Sequence, residues 1–284
     1  MGSDTNFTTM RSIAPSGRAI SSVNLGSDPK KTTLDFISDL HLHTSEPATF
    51  AAWQHYMQST PADAVFILGD LFEVWVGDDA VSDDLANTAA SFEDQCAQVL
   101  GDAATRLALF FMHGNRDFLV SQHLADLCNM TLLADPTVLV FPSSSNQHPP
   151  AKNYLLSHGD ALCLDDVDYM QFRKQVRSPE WQQAFLAKPL AERQAIARGL
   201  RQQSEAKKKS GADYADVDAS TALQWLQAAN ARTLIHGHTH KPATHPLDAA
   251  HQRIVLSDWD ASATPPRAEV LRLTRHGLQR IPLL

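Results

Sequence analysis

Hydrophobic positions along this chain fall in short runs that alternate with stretches of helical spacing. Residues 33–38 (TLDFIS), 64–68 (AVFIL), 107–112 (LALFFM), 153–157 (NYLLS), 233–236 (TLIH) and 253–257 (RIVLS) are each brief and nearly continuous. Their branched and aromatic side chains predict strands buried on both faces, inside a layered α/β protein. Between them, residues 48–59, 84–100 and 121–128 have the spacing and composition of helices. Residues 142–150 (PSSSNQHPP) predict a loop, and no internal repeat interrupts the pattern.

The pattern changes near Asp165. From there to about Ser210 the composition is helical, with ten Lys and Arg side chains against three Glu across residues 170–211. Phe172, Val176, Trp181, Phe185, Leu190 and Ile196 are interleaved with these charges. One reading is an amphipathic helical hairpin with a solvated basic face. The other is an inserted cap that meets something anionic and partly apolar, such as a phospholipid surface.

Charge and composition narrow the function classes. The chain has 284 residues and a formal charge of −8, which argues against a general nucleic-acid binder. Its three cysteines, Cys96, Cys128 and Cys163, are widely spaced and read as reduced thiols of a cytoplasmic protein. No apolar run approaches the roughly 18 residues needed to cross a bilayer. Residues 1–31 are rich in Ser, Thr, Gly and Asn, and are expected to form a disordered extension ahead of a domain over 32–284.

Five of the expected strands end in polar clusters: SDLHLH (Asp39, His41), GDLFEVW (Asp70), HGNRDF (Asn115, Arg116), SHGD (His158) and HGHTH (His238, His240). The carboxyl ends of strands form the ligand crevice of open α/β sheets, because the connecting loops diverge there. The clusters supply four imidazoles, two aspartates and an asparagine amide. Seven donors are too many for one structural zinc. They suit two ions roughly 3.5–4 Å apart, with Asp70 as the shared carboxylate. Oxygen and nitrogen donors without thiolate fit manganese, iron, magnesium or zinc.

The series SDLH, GD, GNRD, SHGD and GHTH resembles the calcineurin-like metallophosphoesterase superfamily. The longer motifs GDLFEVWVGDD, HGNRDFL, HGDALCLDD and LIHGHTHKPA are similar, over residues 32–284, to the UDP-2,3-diacylglucosamine pyrophosphatases of lipid A biosynthesis. That resemblance implies a four-layer βαβ sandwich with a helical cap inserted at about 165–212. It implies two Mn²⁺ ions, one held by Asp39, His41, Asp70 and His240, the other by Asp70, Asn115, His158 and His238. Asn115, Arg116 and His238 are the implied catalytic residues. Substrate contacts fall on Asn115, Arg116, Asp166, Ser204 and His238, with Arg201, Lys207 and Ser210 expected on the cap. The implied reaction is attack of metal-activated water on the α phosphorus, giving UMP and 2,3-diacylglucosamine 1-phosphate. The diacylated substrate places a monomeric enzyme at the cytoplasmic leaflet of the inner membrane, as a peripheral protein with no nucleic-acid partner.

One residue speaks to the reaction by itself. Many relatives in the superfamily have GNH, whose histidine protonates the leaving alkoxide, whereas this chain has GNR. Arginine is a poor acid. A phosphomonoester leaving group, with a second pKa of about 6, departs without protonation, so Arg116 favours P–O–P cleavage. A nucleotide or cyclic-nucleotide phosphodiesterase would share the metals and need no lipid-compatible cap. A non-enzymatic scaffold would be expected to have lost donors that are all present here.

Overall fold

A computed structural model describes residues 12–13, 19–24, 33–83, 91–141, 151–209 and 215–284, with the backbone alone at 12, 13, 19 and 201–209. In chain order the first elements are β1 (Ser12–Ile13), β2 (Ala19–Asn24), β3 (Leu34–Ile37), α1 (Pro47–Ser59), β4 (Ala64–Leu68), α2 (Phe92–Ala104) and β5 (Ala108–Met112). Next come α3 (Gln122–Leu127), β6 (Met130–Leu133), β7 (Thr137–Phe141), β8 (Lys152–Leu156), α4 (Val167–Val176), α5 (Pro179–Leu186) and α6 (Leu190–Lys209). The chain finishes with α7 (Ala219–Ala228), β9 (Thr233–His236), β10 (Ala243–Pro246), β11 (Gln252–Val255), β12 (Glu269–Thr274) and β13 (Gly277–Pro282).

The strands form a six-stranded sheet, ordered β13-β12-β3-β4-β5-β6, and a seven-stranded sheet, ordered β1-β2-β7-β8-β9-β11-β10. Strands β3 to β6 run parallel, as do β8, β9 and β11. Successive side chains on a strand face opposite ways, so each apolar run serves two cores. Phe36, Phe66, Phe110, Tyr154, Leu156 and Ile235 fill the space between the sheets. Ile37, Val65, Ile67 and Phe111 pack outward with α1, α2 and α3. On the far side, Leu155 and Leu234 pack with Trp225 and Leu226 of α7. The result is helix, sheet, sheet, helix.

The extension expected to be disordered is corrected in part. Within residues 1–31, β2 pairs in parallel with β7 and β1 folds back on β2. Ile20 and Val23 are 1% and 2% exposed. They lie three residues apart and face opposite cores, Ile20 toward α7 and Val23 between the sheets. The remaining residues of that segment and the 142–150 loop lie outside the described residues.

Between β8 and α7 the chain leaves the sandwich and returns. The exit and re-entry are joined by one bond, Asp218 N to Leu162 O at 2.8 Å. The basic segment in between is three helices rather than a hairpin. Asp166 caps α4 through its bond from Tyr169 N, and Ser178 caps α5 ahead of Pro179. Arg193 pins α6 to the loop after β4. Its side chain, 2% exposed, donates to Val76 O and Lys188 O and pairs with Asp79.

Candidate metal centre

The ends of β3, β4 and β5 meet the ends of β8 and β9 at one edge of the sandwich. Backbone bonds lace them together: Asp39 N donates to Gly69 O, His41 N to Asp70 O, and Gly237 N to His158 O. His238 N reaches across the sheets to the Asp39 carboxylate at 2.9 Å. Tight turns are needed to aim this many side chains inward. Asp39, His41, Asp70, His238 and His240 all adopt left-handed backbone, with φ of 55°, 50°, 52°, 67° and 51°. Such a conformation costs a non-glycine residue about 1–2 kcal/mol and persists only where the surroundings enforce it. Two glycines make the space. A Cβ on Gly114 would stand 2.1 Å from Asp70 Oδ1, and one on Gly237 would stand 2.2 Å from Asp39 Oδ2.

All seven expected metal donors converge there. His41 Nε2 lies 3.4 Å from His240 Nε2, which lies 3.3 Å from Asp39 Oδ1. Asp70 turns one oxygen toward His41 Nε2 (4.0 Å) and the other toward His158 Nε2 (3.8 Å), the disposition expected of a shared carboxylate. Asn115 Oδ1 stands 3.0 Å from His158 Nε2 and 2.8 Å from His238 Nδ1. Asp39, His41 and His240 form one group able to hold a cation, and Asp39, Asp70 and His158 another.

An outer ring nitrogen fixes how the inner one points at His158. His158 Nδ1 donates to Leu68 O at 2.9 Å, which turns Nε2 inward. His41 Nδ1 lies 3.1 Å from Glu73 Oε2 as a charge contact, without the geometry of a hydrogen bond. Several imidazole nitrogens and carboxylate oxygens therefore face one another across a few ångströms. That arrangement fits divalent cations, and the chain binds them as its donor set dictates.

The electrostatics of the metal-free cluster agree. Burial alone would raise the Asp39 carboxyl, but the hydrogen bond and charge of His240, with the charges of His158 and His41, hold it well below the usual range. Burial would lower His158, yet Asp70, Asp39 and Asp160 push it up to about 9. His238 is pushed down to about 4 by burial and by the charge of His158. Asp117 is pushed up to about 7 by burial and by Asp70.

A cleft of about 720 Å³ opens from the cluster and runs beneath the cap. Its near end holds His41, Asp70, Asn115, Arg116, His238 and His240. Its far end is apolar, with Trp75, Val76, Phe118, Phe172, Trp181 and Phe185 among its walls. Arg116 donates its backbone N–H to Asp70 Oδ1 at 2.8 Å, and its guanidinium reaches into the cleft 3.6 Å from Glu73. Asp166, at the start of α4, also lines the cleft. Arg201, Ser204 and Lys207 belong to α6, but their side chains lie outside the described residues, as does Ser210 altogether.

Three acidic side chains had no role assigned from sequence. Glu73 sits between His41 and Arg116. Asp117 accepts from Gly114 N and Leu71 N, both at 2.8 Å, and so ties the β4 and β5 turns together. Asp160, fully buried, accepts from the cap residues Tyr169 and Arg173. Each lies within a few residues of an expected donor, and that proximity was the only available signal.

Comparison with known proteins gives a consistent picture. Residues 32–242 match the calcineurin-like phosphoesterases. The chain is 43% identical over 259 residues to a UDP-2,3-diacylglucosamine hydrolase of Chromobacterium violaceum, covering 88% of this chain and 98% of the relative. It is 43% identical over 242 residues to the enzyme of that description from Cellvibrio japonicus, covering 81% and 95%. The corresponding protein of Bordetella pertussis is 37% identical over 254 residues, covering 87% and 93%.

Proposed function

Because the chain belongs to the calcineurin-like phosphoesterase family, in the branch of the UDP-2,3-diacylglucosamine hydrolases, we infer that it hydrolyses the pyrophosphate bond of UDP-2,3-diacylglucosamine. The products are UMP and 2,3-diacylglucosamine 1-phosphate, and the reaction belongs to lipid A biosynthesis. The observation that carries this reading is the single cleft joining a metal-type cluster to an apolar chamber under the cap. A substrate with a charged pyrophosphate and two acyl chains needs both ends. A cyclic nucleotide would leave the apolar end unfilled.

In this reading Asp39, His41, Asp70 and His240 hold one ion, and Asp70, Asn115, His158 and His238 hold a second. Manganese is the ion proposed for both sites, in keeping with donors that include no thiolate. When bound, such a pair supplies Lewis acidity and lowers the pKa of water toward neutrality. The chain's own residues orient the reaction. Arg116 offers two parallel donors to a phosphate oxygen, and Glu73 holds both that guanidinium and the His41 ring in place. The leaving 1-phosphate needs no proton, so an arginine serves where an alkoxide would demand an acid. Asp166, which lines the cleft at the cap's first turn, is a further proposed substrate contact.

The test is UMP release from UDP-2,3-diacylglucosamine with Mn²⁺ in detergent, beside an Asn115→Ala variant and a UDP-glucose control. The expected result is metal-dependent UMP, lost in the variant and absent with UDP-glucose. Equal turnover of UDP-glucose would remove the lipid assignment.

We propose further that a monomer docks on the cytoplasmic leaflet of the inner membrane without crossing it. Among the described residues no helix is long and apolar enough to span a bilayer. Phe172, Leu186 and Leu200 are 39%, 42% and 42% exposed within the basic stretch 170–211. Apolar side chains among cations suit an anionic interface. Co-sedimentation should be stronger with anionic than with zwitterionic vesicles, and to fall with added salt. Indifference to lipid charge would count against docking.

A further inference from the structure

Tyr169, Arg173 and Arg177 recur every fourth residue, so they share one face at the inner side of α4 and just past its end. All three meet the Asp160 carboxylate. Tyr169 Oη donates at 2.6 Å, Arg173 Nε at 2.7 Å, and Arg177 Nη2 stands at 3.4 Å. Asp160 itself is fully buried beside the β8 end. The first two contacts dock the cap. Arg177 does something more.

Its Nη2 also donates to Gly114 O at 2.8 Å, and its guanidinium lies 5.6 Å above the Phe118 ring. Gly114 and Phe118 flank the Asn115–Arg116 turn on either side. Phe118 is backed in turn by Trp181 of α5, with ring centroids 6.2 Å apart. One cap side chain therefore grips both shoulders of the turn that presents an amide oxygen to the metal cluster and a guanidinium to the cleft. Nothing else from α4 touches Gly114 among the described hydrogen bonds.

The geometry points to Arg177 as a positioning residue for hydrolysis: it locks the Asn115–Arg116 turn against the docked cap, and through that turn sets the placement of both side chains. This inference rests on the reading of the cleft given above. A merely structural Arg177 would change stability and leave turnover alone. A positioning Arg177 changes turnover more than substrate affinity, because it meets no expected metal donor directly and touches the cleft only through the back of Phe118 and the Asn115–Arg116 turn.

Full-length protein loaded with Mn²⁺ provides the test. Arg177→Met should lower kcat for UDP-2,3-diacylglucosamine on the order of tenfold or more, as displacement of a catalytic group by under an ångström does. KM should change less than kcat, because the apolar chamber that holds the acyl chains keeps its walls and only the share of Arg116 binding common to ground and transition states is lost. The Mn²⁺ bound per chain should match the parent, while the line shape of its electron paramagnetic resonance spectrum changes as Asn115 shifts. Arg177→Lys, which keeps one donor and the charge beside Asp160, should recover part of kcat. If the Met variant does not fold, the Lys variant should show the same pattern in milder form.

Parent-like kcat with a parent-like spectrum would overturn the proposal. So would a kcat loss that tracks loss of bound Mn²⁺. If the parent releases no UMP at all, the functional reading falls. The spectrum of the Arg177 variants then decides the positioning role alone, and an unchanged line shape ends it.

Discussion

Left-handed backbone at five of the seven expected donors is enforced by the tight turns and backbone bonds that join the strand ends. Each such residue costs about 1–2 kcal/mol, and that cost is met by the packed sheets around it. The donors also repel or neutralise one another when no cation is present. His158 answers this by carrying a proton, its pKa pushed up to about 9 by Asp70, Asp39 and Asp160. A metal must displace that proton. The sign follows directly: a ligand protonated below about 9 competes with metal at lower pH, so affinity falls as pH drops through that value, by up to about tenfold per unit. Binding near pH 7 should therefore release a proton, and binding near pH 10 none from this group. Titration calorimetry in buffers of different ionisation heat measures it, and an absence of proton release near pH 7 would contradict the account. That the seven expected donors would converge was legible in the sequence because their clusters follow apolar runs. Glu73, Asp117 and Asp160 were not, because what they do depends on neighbours that folding brings from elsewhere in the chain.

Among elements, the cap packs Phe185, Ala197, Trp181, Leu190 and Ile196 onto the outer core, and a few polar side chains fix its seat. Arg193 is the clearest: an almost completely buried guanidinium satisfies two carbonyls and pairs with Asp79. Arg193→Met keeps much of the stem but leaves Val76 O and Lys188 O without this donor. Each orphaned buried polar group costs about 1–3 kcal/mol. The urea midpoint should fall accordingly, with α6 amides exchanging faster than those of β4. A change under about 0.5 kcal/mol, the size expected of an ordinary surface substitution, would show that the pin is dispensable. The helices of this region could be read from composition, but not their number; Pro179 and Pro189 mark the breaks between them. Strands β6 and β7 went unread because Asp135–Pro136 lies between them and makes the whole stretch look like a loop. Strands β12 and β13 went unread because Arg272 and Arg280 interrupt their apolar pattern. Folding resolves both, with Arg272 bidentate on buried Asp35 at 2.7 Å and Arg280 bound to Glu269.

At the scale of the molecule, the seven-stranded sheet carries beside its edge strand β1 a second strand, β2, that the sequence barely advertises. With one apolar side chain for each face, β2 has too few to produce a periodic signal, so its segment reads as polar filler. Yet Ile20 and Val23 are buried, at roughly 1.5–3 kcal/mol each. Deleting residues 1–24 should lower stability by about 3 kcal/mol or more and bare the backbone edge of β7, which is a template for association. Denaturation and light scattering should show a lower midpoint and a concentration-dependent increase in mass. A monomer of unchanged midpoint would mean that β2 is ornamental.

The bond between Leu162 and Asp218 has a consequence for the family's history. An insert that leaves and rejoins the sandwich through one doorway can lengthen, shrink or be traded for another without disturbing the layers on either side. The fasteners that seat it, Tyr169, Arg173, Arg177 and Arg193, travel with the insert. What stays behind is a row of receptors: Asp160, Gly114 O, Val76 O and Asp79. In such an arrangement the sandwich keeps its donors while the insert supplies apolar walls of the cleft and, through Arg177, the hold on the Asn115–Arg116 turn, so a traded insert shifts substrate range and turnover together.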